Sequence, residues 1–218
     1  MLRGAPGATF PRMPLPKKKA VAHLRAADPV MASVIDRIGP CRARVYNEGT
    51  NFGAVLSSIV YQQLSGSAAA TIHGRVLKLF GDREPSPREL LATPDELLRG
   101  AGLSGAKTRY VKDLAAHAAE RRFPIERLHE LDDDAVIETL TQVKGVGRWT
   151  AQMFLMFRLG RPDVLPELDL GIQKGVQRAY GLRRLPTPKQ VLRRGAPWAP
   201  YRTIASWYLW RLVDTQDA

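Results

Sequence analysis

From residue 28 to residue 214 the apolar positions recur at three- and four-residue intervals, and no segment holds the strict alternation of a half-buried strand. The spacing predicts helices over about 28–38, 52–80, 104–121, 133–143, 148–159, 170–180, 188–194 and 198–214. Two further helix starts are legible. "SPREL" sets Ser86 before Pro87 with Glu89 three residues on, and "TPDEL" repeats the pattern with Thr93, Pro94 and Glu96. In "DDDAVIETLTQV", Val136, Ile137, Leu140 and Val143 form one apolar face, and Asp132 to Asp134 offer a cap and favourable partners for the helix dipole. The expected fold class is all-α.

The stretch "LTQVKGVGRWTAQMFL" interrupts this pattern informatively. Gly145 and Gly147 oppose helix formation, yet Ala151, Phe154 and Leu155 resume helical spacing directly afterwards. The stretch therefore reads as helix, glycine hairpin, helix. Glycine allows a tight turn and close approach to another surface, and the second helix opens with unpaired N–H groups that suit a phosphate. A plain αα-hairpin with a glycine cap fits the same residues.

Charge shifts the balance toward a polyanion. The 218 residues carry 33 Lys+Arg against 21 Asp+Glu, a net charge of +12. Nucleic acid is favoured over a membrane surface, because no segment approaches the roughly 18 uninterrupted apolar residues of a membrane helix. Cys41 is the single cysteine, which excludes an intrachain disulfide, a thiolate zinc site and a four-cysteine iron–sulfur cluster. His23, His73, His117 and His129 are scattered without metal-ligand spacing. The first twenty residues lack the apolar core of a signal peptide and read as a basic tail.

Prolines in "GRPDVLPELD" break two helices after the hairpin, and a domain crossing is expected there. The organisation that follows is a tail over 1–20, a terminal helical domain from 21–50 plus 161–218, and a central domain over 51–160 with the hairpin. Asp169 stands where the loop meets the helix "LGIQKGVQRAY", either as its N-cap or as a cleft carboxylate, with Glu167 a competitor for the second role. Trp149, Trp207, Tyr208 and Trp210 suit core packing, or the flat walls on which a flipped base stacks. Gln62 and Gln63 interrupt an apolar run, as a helix end or as a probe entering DNA.

Taken in order, "FGAVLSSIVYQQLSGSAAATIHGRV", "GLSGAKTRYVKDLA", "LTQVKGVGRWTAQMFLM" and "GRPDVLPELDLGIQKGV" resemble the helix-hairpin-helix DNA glycosylases, and more narrowly their alkylbase branch, DNA-3-methyladenine glycosylase II. The resemblance covers about Phe52 to Asp214. It implies two helical domains flanking a cleft that holds the lesion, and a monomer that acts on double-stranded DNA, at the nucleoid of a bacterium or in the nucleus of a eukaryote. Asp169 falls on the family's catalytic aspartate and Gln63 on its wedge, a position often apolar. Gln62, Lys144, Gly145, Val146, Gly147, Arg148 and Thr150 fall on DNA-binding positions, and Trp149, Tyr208 and Trp210 on the substrate pocket. Met153 and Leu170 stand where some relatives carry further pocket aromatics, which implies a more open pocket. No cofactor is required, although the family's hairpin carbonyls, here of Thr141, Val143 and Val146, can hold Na+ or K+.

Backbone-cleaving members of the superfamily resemble "GVGRKTA" and use that lysine as a Schiff-base nucleophile; here the residue is Trp149. Simple hydrolysis is therefore expected. A carboxylate against C1′ can stabilise the oxocarbenium-like sugar and orient a water. An N3- or N7-alkylated purine already carries positive charge, so it leaves without a second, protonated carboxyl. The competing readings are a non-enzymatic helix-hairpin-helix module, which needs neither Asp169 nor the proline-rich loop, and a glycosylase/lyase.

Overall fold

A computed structural model describes residues 14–46, 48–119 and 124–215, and among these every regular element is helical. The chain divides into two compact units. Asn47–Phe154 lies in one; Met13–Tyr46 and Leu155–Ala218 form the other.

The second unit opens with α1 (Lys17–Ala27) and α2 (Pro29–Ile38). The expected tail over 1–20 is corrected here: residues 1–13 lie outside the described part, but Lys17 to Ala20 are helical, and Leu15, Ala20 and Leu24 are buried in the core. The lysine run hid a helix whose few apolar residues sit at i and i+4. Asp28 caps α2 through the Val30 and Met31 amides, and its other carboxylate oxygen accepts from the Tyr180 hydroxyl and the Trp198 indole at 2.8 Å. Burial alone would raise this carboxyl, but those four hydrogen bonds hold it below the ordinary aspartate range.

The hairpin-bearing unit contains α3 (Asn51–Tyr61), α4 (Gly66–Lys78), α5 (Pro87–Ala92), α6 (Asp95–Gly100), α7 (Gly105–Ala119), a 3₁₀ turn (Ile125–Glu130) and α8 (Asp133–Thr141). Helix α9 (Arg148–Phe157) starts in this unit and runs into the other. One long helix was expected over 52–80. The chain instead breaks at Gln62, because Gln63 adopts φ +56° and Ser65 caps a new helix through the Ala68 amide. Ser86 forms the expected capping box with Glu89. Thr93 does not repeat it: its hydroxyl donates back to the Glu89 carbonyl and closes α5, and Pro94 precedes α6 without a side-chain cap.

Helices α10 (Leu170–Ala179), α11 (Pro188–Gly195) and α12 (Arg202–Asp214) complete the second unit. The helix expected from 198 starts later, since Ala196–Trp198 is a 3₁₀ turn and the Ala199–Pro200 peptide is cis. Its core gathers Met31, Ile172, Val176, Trp198, Ile204, Tyr208 and Leu209. Packing of α10 on α12 is unusually close: a Cβ on Gly175 would lie 2.8 Å from the Leu209 carbonyl oxygen. Two glycines four residues apart, Gly171 and Gly175, give α10 a groove along which α12 lies.

Candidate active site

The close approach of α10 and α12 positions the carboxylate. Asp169 is the N-cap of α10, and its Oδ1 accepts the Ile172 amide at 2.8 Å. The same oxygen accepts the Trp210 indole N–H at 2.9 Å. One oxygen of Asp169 thus both caps α10, as expected, and meets the α12 indole. A Cβ on Gly171 would stand 3.0 Å from Asp169 Oδ1 and 2.9 Å from Trp210 Cδ1, so only glycine leaves this pair undisturbed. Glu167, the competitor, uses its carbonyl to accept from the Gln173 side chain at 3.0 Å.

Phe157 packs on Trp210 with ring centroids 5.9 Å apart, forming an aromatic wall near the carboxylate. Leu168 and Leu170, each 54% exposed, flank Asp169 in sequence. Sequence reasoning missed Phe157, Leu168 and Gly171; the Gly171/Gly175 spacing was the available signal for the last. Tyr208 is a correction. It is fully buried in the core, donates its hydroxyl to the Gly39 carbonyl at 3.0 Å, and cannot offer a stacking face. Two residues along a helix rotate by about 200°, so Tyr208 and Trp210 face opposite ways. Trp149 is 44% exposed and belongs to the other unit.

In the hairpin-bearing unit, Gly145 has φ +80°, the left-handed value that favours glycine, and Gly147 faces open space. A Cβ on Gly145 would fall 2.2 Å from the Tyr110 ring, so this glycine serves the hairpin's own packing, whereas Gly147 keeps the outer face low. Lys144 is tied down, its amide donating to Asp113 Oδ2 at 2.9 Å and its ammonium 3.4 Å from Oδ1. The side chains of Val146 and Thr150 are buried, and Arg148 is exposed.

Gln62 and Gln63 separate in role. The Gln62 side chain donates to the Gly145 carbonyl at 2.9 Å and binds its own loop to the hairpin. From α7, the Lys107 ammonium donates to the Val60 and Gln62 carbonyls at 2.6 and 2.7 Å, closing the C-terminus of α3. Gln63 is left exposed on a strained backbone, the conformation of a residue held outward by its neighbours.

The carbonyls of Thr141, Val143 and Val146 are the ones expected to hold a monovalent cation. Val143 O accepts the Val146 amide at 3.0 Å, and a carbonyl retains a second lone pair for a cation. Among the described residues no cluster of His, Cys, Asp or Glu could hold a metal ion, and no helix is long and apolar enough to cross a membrane.

An all-α chain with a glycine hairpin between two helices, followed by a carboxylate at a helix N-terminus beside an indole, defines a helix-hairpin-helix protein. The HhH-GPD superfamily base excision DNA repair model matches residues 56–200. The chain belongs to that superfamily. It is 33% identical over 202 residues to DNA-3-methyladenine glycosylase 1 of Schizosaccharomyces pombe, covering 91% of this chain and 89% of that protein. Among solved structures, the DNA-3-methyladenine glycosidase of Bacillus halodurans superposes with a TM-score of 0.81 at 38% identity, covering 93% of this chain and 91% of that one. The S. pombe 3-methyladenine DNA glycosylase Mag1, solved with abasic DNA, gives 0.77 at 33% identity, covering 88% and 95%.

Proposed function

We propose that this protein excises alkylated bases from duplex DNA by hydrolysing the N-glycosidic bond, the opening step of base excision repair, and that it leaves the strand uncut. The observation that carries the reading is the Asp169 carboxylate, whose Oδ1 is fixed by two donors at once. A preorganised carboxylate of this kind stabilises positive charge developing on the deoxyribose. As the C1′–N bond breaks, its electron pair leaves with the base. Water then adds to C1′, and Asp169 or solvent takes the proton.

The hairpin amides near Gly145 to Gly147 would hold a phosphate beside the lesion, with Gln63 entering the space the base vacates. Trp210, beside Asp169, would supply an aromatic face for a cationic base. A monovalent cation on the carbonyls of Thr141, Val143 and Val146 would add positive charge beside that phosphate. With Trp149 where a lyase carries lysine, no amine attacks C1′ and no Schiff base forms.

Asp169→Asn tests the assignment, because an asparagine Oδ1 can still accept from Ile172 and Trp210 while the charge is gone. Free-base release from an alkylated duplex should fall roughly 10²–10³-fold or more, with binding retained. Near-normal release by the folded variant would remove Asp169 from the chemistry and move the catalytic role to Glu167.

A further inference from the structure

The net charge of +12 is not shared between the units. Residues 47–154, which hold the hairpin, carry 13 Lys+Arg against 14 Asp+Glu. Residues 13–46 and 155–218 carry 18 against 7. The unit whose backbone amides suit a phosphate is electrostatically neutral, and the unit that holds Asp169 is strongly cationic.

Within the cationic unit the excess is concentrated. From Leu170 to Val213 there are nine Lys+Arg and no acidic residue. Four of the nine are committed to the fold: Arg178 caps the end of α12 through the Leu212 and Val213 carbonyls, Arg194 lies over the Tyr180 ring, Arg202 pairs with Asp163, and Arg211 pairs with Asp214. Lys174, Arg183, Arg184, Lys189 and Arg193 are exposed and make no ion pair among the described residues. Lys174 and Arg178 share one face of α10, as Lys189 and Arg193 share one of α11, at the i,i+4 spacing where like charges repel. A groove of about 460 Å³ lies beside the α10 pair, lined by Lys174, Gln177, Arg178, Gly181, Leu182 and Val213. Exposed like-charge pairs weaken an isolated fold, so a surface built from them is stabilised by a polyanion.

We propose that the α10–α11 surface, from Lys174 through Arg183, Arg184 and Lys189 to Arg193, binds the sugar–phosphate backbone of duplex DNA and supplies most of the salt-dependent affinity. The hairpin then contributes register rather than charge. The proposal rests on the reading of the protein as a DNA glycosylase and adds the place where the polymer is held. Uncommitted cations bind phosphates by releasing counterions, without reading sequence, so the surface serves undamaged and damaged duplex alike.

The test is the salt dependence of binding to an undamaged duplex, compared among three full-length proteins. In Arg183→Gln/Arg184→Gln/Lys189→Gln/Arg193→Gln, the slope of log affinity against log salt should flatten by up to about 3.6, at roughly 0.9 for each phosphate no longer neutralised. In Lys78→Gln/Arg88→Gln/Arg99→Gln, which removes exposed cations of the hairpin-bearing unit, the slope should stay within one of wild type. The unfolding midpoint of the first variant should equal or exceed that of wild type, since one repulsive pair is gone. An unchanged slope in the first variant, or equal flattening per charge in both, overturns the proposal. Failure of the wild-type protein to release any alkylated base would refute the glycosylase reading separately, because the binding slopes are read without catalysis.

Discussion

The indole N–H of Trp210 donates to Asp169 Oδ1, the oxygen that already accepts the Ile172 amide, so α12 and the first turn of α10 hold one carboxylate from two sides. Gly171 is the residue that permits it, since any side chain there would press on both partners. Trp210→Phe removes the donor and keeps an aromatic face. Single-turnover base release should fall at least tenfold with duplex affinity within a factor of two of wild type. A rate equal to wild type would mean that the Ile172 amide alone orients the carboxylate.

Two glycines of one hairpin should behave differently. Gly145→Ala forces a Cβ into the Tyr110 ring and strains a left-handed backbone, so it should lower the unfolding midpoint, by about 1–3 kcal/mol of stability. Gly147→Leu places its side chain in open space and should leave the melt unchanged while weakening duplex binding. Unchanged binding by the folded Gly147→Leu protein would show that this face of the hairpin meets no DNA.

Borohydride added during turnover should trap no protein–DNA adduct, and product strands should stay intact until treated with alkali. Trp149 has no nucleophilic nitrogen to form an imine. A trapped adduct or direct strand cleavage would reassign the protein to the lyase branch.

Acid stability should report on Asp28. Its folded carboxyl lies below the ordinary 3.8, so the folded state binds that proton less readily than the unfolded chain. Asp28 therefore adds stability above pH 3.8 that is lost as pH falls through the lower folded value. Asp28→Asn keeps the cap on α2 but confronts the Tyr180 and Trp198 donors with a poorer acceptor or a second donor. At pH 7 it should cost about 2 kcal/mol, and denaturant midpoints below about pH 4 should depend less on pH than those of wild type. Parallel pH profiles would remove Asp28 from the acid response.

The sequence by itself determined the elements and much of the chemistry. Helical spacing fixed the class, the Ser86 box and the Asp132 cap stood where expected, and the glycine hairpin with Asp169 beyond it was legible because caps and tight turns are set by a few adjacent residues. Tertiary structure decided what depends on partners distant along the chain. Only packing shows that Tyr208 belongs to the core while Trp210, two residues later, meets Asp169 forty-one residues away. Likewise, Gln62 is committed to Gly145, with Lys107 drawn in from α7. Periodicity also failed where a local bond outcompeted it, as when Ser65 started a new helix and Thr93 turned its hydroxyl back to close the previous one. Side-chain type and spacing say which groups can cap, stack or ionise; which partner each one meets is settled by how closely α10 and α12 approach, and that distance is set by two glycines that have no side chain to announce it.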